Sequence, residues 1–334
     1  MHNERRVLTN LRLVNRDFMR EEQRLIESVV SNIEKVIIGK RPEILNIMKG
    51  IIANGHILIE DVPGVGKTTM VKALAKSLDL SYSRIQFTPD LLPSDITGVS
   101  IYNQRDMRFE FKKGPIFSNV VLADEINRTS PKTQSALLEV MEENQVSEGG
   151  ETYKLQKPFF VLATQNPIEY EGTFILPEAQ LDRFMIKVAM GYPDKADEEE
   201  ILEIYRKEEP LEILDAVAGA EEIIELQKAV RNVFVAKEIN SYIVDIADAT
   251  RRHEYLNLGI SPRASLALLR IGQASAIING RNYVIPEDIR DNALLVLSHR
   301  VAPSSMARAN NHSSKSILSS ILNAVKVPKV SLNA

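Results

Sequence analysis

Ten consecutive residues, Glu60-Asp61-Val62-Pro63-Gly64-Val65-Gly66-Lys67-Thr68-Thr69, have the types and spacing needed to hold a nucleoside triphosphate. Glycine lets the main chain approach phosphate oxygens where a Cβ would intrude, so the N–H groups of Gly64 to Thr68 can point inward. Lys67 is spaced to reach the β- and γ-phosphates, and the Thr68 hydroxyl to ligate Mg2+. The usual pattern opens with a glycine where this chain has Asp61. Aspartate also suits turn geometry, because its carboxylate bonds nearby N–H groups.

Two carboxylates and an amide complete a candidate hydrolytic set. Asp124-Glu125 follows the apolar run Val120–Ala123; Asp124 can hold the hydration shell of Mg2+, and Glu125 can orient or deprotonate the attacking water. Thr164-Gln165-Asn166-Pro167 follows a second apolar run, so Asn166 either contacts the γ-phosphate or water, or belongs to a structural Asn-Pro turn. Arg183, in Leu181-Asp182-Arg183-Phe184 and expected just beyond the same edge, either neutralises the transferred phosphoryl group or forms a surface ion pair. Arg263, after Ser261-Pro262, is open to both readings as well.

Positioning these groups requires particular elements. Ile57–Glu60 reads as a short strand entering the glycine turn, and Thr69–Leu78 as the helix leaving it, the order that gives the motif its meaning. The near-continuous apolar runs Asn119–Ala123 and Phe159–Ala163 suit central strands of a parallel sheet covered on both faces. Between them Ser130-Pro131 starts a helix with Ala136, Leu137, Val140 and Met141 facing inward. Residues 19–50 carry a helical spacing interrupted at Ile37–Lys40. The fold class is therefore α/β.

Beyond Asp194 the pattern turns helical, over about 196–207, 219–233, 236–251, 262–279 and 286–299. These changes predict a core over 1–195, including its N-terminal helical segment, a helical domain over 196–300, and a flexible tail over 301–334. The tail's apolar stripe, Ile317, Leu318, Ile321, Leu322 and Val325, predicts a short amphipathic helix that docks on its own protein or on a partner.

Composition narrows the partners. With 41 basic against 45 acidic residues, a net charge of -4 offers no general attraction to nucleic acid or an anionic membrane. The absence of cysteine excludes disulfides, thiol nucleophiles and cysteine-ligated metals. No run approaches the ~20 apolar residues of a membrane span, and no apolar leader follows Met1. A cytoplasmic location is expected, with no nucleic acid partner.

Taken in order, Glu60–Thr69, Val121–Arg128, Ala163–Pro167, Leu176–Phe184 and Gly259–Ala264 resemble the motifs of MoxR-type AAA+ ATPases, over about residues 20–300. The resemblance implies a P-loop NTPase (AAA+) core with a parallel sheet, and a C-terminal helical lid. It implies ATP binding by Pro63, Gly64, Val65, Gly66, Lys67, Thr68 and Thr69, with Mg2+ held by Thr68 and, through water, by Asp124. Glu125 and Lys67 become catalytic, Asn166 the sensor-1 residue, and Arg183 an arginine finger acting on a neighbour's nucleotide. Arg263 becomes the sensor-2 residue of the lid, and Ile38 and Gly39 part of the adenine pocket.

A finger acting between subunits implies a homo-oligomer, commonly a hexameric ring. The resemblance further implies chaperone-like maturation of a protein complex, with a von Willebrand factor A domain protein as partner. Two segments, Asp95–Phe117 with its alternating Arg108–Lys112 and the hairpin-like Gln145–Leu155, are similar to inserts of the MoxR and magnesium-chelatase clade that face substrate or partner. A chelatase-type motor for metal insertion and a non-hydrolysing nucleotide-gated scaffold are the alternatives. A nucleic-acid motor is disfavoured by the charge balance and the lack of a basic-aromatic platform.

Overall fold

Buried β-branched and leucine side chains build the centre of the sheet. In the computed structural model, which describes residues 21–166, 173–207 and 209–330, helical residues 21–34 (α1) and α2 (Arg41–Ile52) precede strand β1 (His56–Glu60). Expectations about a leader before residue 21, about Pro167 and about residues 331–334 lie outside the described residues. Ile57, Leu58 and Ile59 of β1 are fully buried, as are Val120–Ala123 and Phe160–Ala163. They belong to β5 (Val120–Asp124) and β8 (Phe160–Gln165).

Two further strands, β2 (Tyr82–Gln86) and β9 (Phe184–Val188), complete a five-stranded parallel sheet ordered β2-β5-β8-β1-β9. Neither was read from the sequence. Both are edge strands: β2 interleaves polar residues and β9 is broken by Lys187, so neither is the uninterrupted apolar run that marks a strand buried on two faces. Parallel strands end on one edge, so adjacent β5, β8 and β1 bring their following loops side by side.

The glycine loop enters α3 (Lys67–Ser77), and α5 (Pro131–Glu143) is capped by Ser130, whose Oγ accepts from Thr133 N at 3.4 Å. α5 buries Leu137, Leu138, Val140 and Met141 in the core cluster that includes Val121, Val161 and Phe184. Between β2 and β5, α4 (Pro93–Thr97) leads into an antiparallel hairpin of β3 (Gly98–Asn103) and β4 (Arg108–Lys113). A second hairpin joins β6 (Gln145–Glu148) to β7 (Glu151–Lys154) through Gly149-Gly150, both at positive φ as a two-residue turn requires. The Phe111 and Tyr153 rings stack at 4.3 Å and join the hairpins, while Met107 and Phe109 are exposed on the first.

The described chain divides into two compact units, one from residues 31–47 and 54–224, the other from 21–30, 48–53 and 225–330. The division falls at 224/225, where composition had suggested residue 195. Helix α6 (Glu178–Leu181) precedes β9, and α7 (Lys195–Tyr205) begins after Asp194, whose carboxylate accepts from Asp197 N at 2.9 Å. Beyond α7 the chain is fastened to α3: Lys76 Nζ donates to the carbonyls of Leu211 (2.6 Å) and Glu212 (2.9 Å), and Val217 N to Ser77 O (2.9 Å). Bonds to main-chain carbonyls leave no trace in hydropathy.

The remaining helices are α8 (Ala220–Asn232), α9 (Lys237–Arg251), α10 (Pro262–Ile278), α11 (Pro286–Leu297), α12 (Ser305–Ala309) and α13 (Ser314–Ala324). Ser261 Oγ caps α10 by accepting from Ala264 N at 3.1 Å. At the start of α11 the buried Asp288 accepts from Ile285 N (3.0 Å), Ser275 Oγ (3.0 Å) and both terminal nitrogens of Arg281 (2.7 and 2.6 Å). α13 buries Ile317, Leu318, Ile321 and Leu322, and packs on α9 and α11. None of the described helices is long and apolar enough to cross a membrane.

Candidate active site

The ends of β1, β5 and β8 enclose a cleft of about 360 Å3 lined by Pro63, Gly64, Gly66, Lys67, Thr68, Thr69, Asp124, Glu125 and Asn166. Gly64 and Gly66 have φ of +84° and +83°, and a Cβ on either would meet nothing within 4 Å. Backbone conformation therefore demands glycine here, and the concave side of the loop is left open. Lys67 Nζ curls back to donate to the carbonyls of Asp61 (2.8 Å) and Val62 (3.3 Å). Burial lowers its pKa, and the nearby carboxylates of Asp61, Asp124 and Glu125 oppose that shift.

These residues fit a triphosphate and a divalent cation. An open cradle at the N-terminus of α3 offers main-chain donors and a lysine to phosphate, while the Thr68 hydroxyl and Asp124 carboxylate offer the oxygen donors a hard cation prefers.

Asp61, the residue that breaks the usual pattern, has a defined job at the loop entrance. Its carboxylate accepts from Val62 N (2.8 Å) and Gly191 N (2.5 Å), while its own N–H donates to Gln165 O (3.2 Å). The side chain thus ties the loop to the chain leaving β9, which a glycine could not do.

The two acids are held differently. Asp124 is 8% exposed; Oδ1 accepts from the Thr164 hydroxyl at 2.6 Å, and Oδ2 from Arg84 Nη2 at 2.6 Å and Nε at 3.1 Å. Glu125 adopts a left-handed backbone with φ +58°, which costs a residue other than glycine about 1–3 kcal/mol. Its N–H donates to Thr164 Oγ1 at 2.9 Å, which helps fix that conformation. Its carboxylate accepts from Gln86 Nε2 (2.9 Å) and pairs with Arg128 Nε (3.3 Å).

Thr164, Arg84 and Gln86 were missed as functional candidates. Thr164 opens the polar run Thr164–Pro167, where its type alone gives no sign of a role. The signal for the other two was the i, i+2 spacing of Arg84 and Gln86, which places both on one face of a strand.

Of the other predicted residues, Asn166 shares this cleft and Arg183, Ile38, Gly39 and Arg263 are not among its lining. Asn166 is buried and lines the cleft, and its carbonyl accepts from Asn127 Nδ2 at 3.5 Å. Arg183 is not at the edge where sequence order had suggested. It precedes β9, whose first residue Phe184 pairs with His56, the first residue of β1. The arginine therefore lies at the opposite end of the strands, about 13 Å away for a five-residue strand. There it pairs with Glu142 of α5 at 3.1 Å.

Ile38 and Gly39 form the turn after α1, outside the cleft lining. Gly39 has φ +70°, and a Cβ there would fall 1.8 Å from Asp197 Oδ2. Arg263 is exposed near the start of α10 in the helical unit.

The chain matches known families and proteins over most of its length. Residues 56–186 match the ATPase family associated with various cellular activities (AAA), and residues 248–321 match the AAA lid domain. The chain is 52% identical to YeaC of Bacillus subtilis over 91% of this chain and 95% of that protein. It is 40% identical to Chaperone MoxR1 of Mycobacterium tuberculosis over 92% and 84%. Protein MoxR of Methylorubrum extorquens is 30% identical over 80% and 85%. A crystal structure from Cytophaga hutchinsonii superposes with a TM-score of 0.87 at 42% identity, covering 93% of this chain and 97% of that one. A phosphate loop on β1, paired acids on β5, a polar strand end on β8 and a helical lid thus place this chain in the MoxR family of AAA ATPases.

Proposed function

We propose that this chain hydrolyses ATP with Mg2+ at a site completed by a neighbouring copy, and uses the cycle to remodel a protein complex in the cytoplasm. The observation that carries the reading is the convergence of Lys67, Thr68, Asp124, Glu125 and Asn166 on one cleft at the ends of three adjacent strands. Gly64 to Thr69 would bind phosphates through their N–H groups, and Lys67 would exchange the Asp61 and Val62 carbonyls for phosphate oxygens. Bound Mg2+ supplies neutralisation of phosphate charge, and Thr68 and Asp124, the latter through water, would hold it. Glu125, with its carboxylate fixed by Gln86 and Arg128, would orient and deprotonate the attacking water. Asn166 would hold that water or the γ-phosphate.

Arg183 fits a role in trans because it lies at the sheet end remote from its own cleft. Such a role requires a homo-oligomer, and a hexameric ring is the assembly we propose. Ile38 and Gly39 are the proposed adenine contacts, and Arg263 the nucleotide-sensing residue of the lid. The chaperone name of the mycobacterial relative supports a protein client, for which a von Willebrand factor A domain protein is the proposed adaptor.

Glu125→Gln is expected to keep ATP bound while phosphate release falls at least ~100-fold; equal release from both proteins would defeat the assignment. Mixing Arg183→Ala with Glu125→Gln subunits tests the shared site. A mixed ring should recover turnover that neither variant shows alone, because an intact arginine can then face an intact glutamate.

A further inference from the structure

Asp124 is contacted from two sides. Its carboxylate borders the cleft, yet Oδ2 is also held by two nitrogens of Arg84, at 2.6 and 3.1 Å. Arg84 projects from β2, the edge strand, and its side chain is 48% exposed, so it can withdraw toward solvent without burying an unpaired charge. Arg84 Nη2 also donates to Gln86 Oε1 at 2.6 Å, and Gln86 Nε2 donates to Glu125 Oε2 at 2.9 Å. A single chain of contacts, Asp124 to Arg84 to Gln86 to Glu125, therefore links the two acids through the neighbouring strand. Beside it, the Tyr82 hydroxyl is buried without a hydrogen-bond partner among the described residues, on the same face of β2 as Arg84 and Gln86.

We propose that Arg84 is an internal counter-ion that competes with the divalent cation for Asp124, so that metal loading loosens Arg84 from that carboxylate. Like charges repel most strongly where water is scarce, and Asp124 is the carboxylate both cations would share. Before the metal arrives, Arg84 offsets the charge of a buried acid. After it arrives, Arg84 gives up that carboxylate and turns toward solvent. The inference rests on the reading of Asp124 as the metal-side carboxylate.

The test uses the full chain and a fluorescent ADP analogue titrated with Mg2+. Arg84→Gln is expected to lower the Mg2+ concentration for half-maximal enhancement of binding by about three- to tenfold, because the competing charge is gone. Arg84→Lys, which keeps the charge, should stay within about twofold of the parent chain. A half-point unmoved or raised in Arg84→Gln, or moved equally in Arg84→Lys, overturns the proposal.

A second reading needs no charge-removing variant. The Arg84 15Nε resonance of the parent chain, assigned by its loss in Arg84→Lys, should move with Mg2+-ADP and stay in place with ADP and a chelator. A resonance unmoved by Mg2+-ADP also overturns the idea. Asp124→Asn, run alongside, separates the two layers. Persistence of the Mg2+ enhancement in that variant defeats the assignment of Asp124, whereas its loss together with an unmoved Arg84→Gln half-point defeats the counter-ion role alone.

Discussion

The central strands and the edge strand β2 contribute to the same cleft in opposite ways. β1, β5 and β8 are apolar along their length and polar at their ends, so each delivers chemistry in the loop that follows. β2 is polar along its length and delivers no loop residue to the cleft. Its Arg84 and Gln86 instead reach sideways to the acids at the end of β5. The register explains why: Gln86 stands opposite Asp124, with Arg84 two residues behind on the same face. A strand buried on both faces cannot spare positions for charged holders, whereas an edge strand can. The reacting groups and the groups that aim them thus come from different environments in one sheet.

If that division is right, substitutions should sort by strand. The largest effect belongs to the loop of β1. Lys67→Ala removes a charged donor from the phosphate site and should weaken nucleotide binding about 100-fold, since losing charge-assisted hydrogen bonds costs about 3 kcal/mol. Titration with a fluorescent nucleotide measures it, and a change under fivefold would break the assignment. Thr164→Val on β8 comes next. It keeps the shape but removes the hydroxyl that donates to Asp124 and accepts from the strained Glu125 N–H. A loss of about 2 kcal/mol of stability, with phosphate release lowered about tenfold, is expected from melting and turnover assays on one preparation.

Gln86→Ala tests the edge strand directly. Glu125 would keep Arg128 but lose its amide donor, so phosphate release should drop about three- to tenfold, the carboxylate charge still being held by the arginine. Nucleotide affinity should stay within twofold. A variant that instead loses affinity would show that β2 supports the cradle rather than the general base.

The same contrast governs how much could be read without coordinates. Continuous apolar runs exposed β1, β5 and β8, and the residues after them supplied five of the cleft's side chains: Lys67, Thr68, Asp124, Glu125 and Asn166. Helix starts were equally plain where a serine precedes proline, as at Ser130 and Ser261. Tyr82–Gln86 showed nothing comparable, because its polar residues match a loop as well as an edge strand. Asp61 looked like a departure from a pattern, and only the fold brings Gly191 within reach of its carboxylate. Arg183 was displaced for a related reason. Its place depends on the direction in which β9 enters the sheet, and the five residues Phe184–Val188 do not encode that.

The smallest expected effect on turnover comes from the helical unit, where Glu22 offers a control for stability alone. This carboxyl is 7% exposed, and its Oε2 has no hydrogen-bond partner among the described residues. Burial, with the adjacent Glu21 charge adding to it, raises its pKa to about 7 from an ordinary value of 4.5. Between those two values the folded chain keeps a proton that the unfolded chain has released, so stability falls as pH rises through that window and the full penalty is present above it. Glu22→Gln stays neutral at every pH. It should match the parent chain near pH 4.5 and melt higher at pH 8, by about 2–4 °C for each kcal/mol relieved. Phosphate release per folded subunit should not change, because no bond at the sheet edge is touched. Were turnover to rise in step with melting temperature, the effects predicted for Thr164 and Gln86 would reduce to stability, and the distinction between groups that react and groups that aim them would fall.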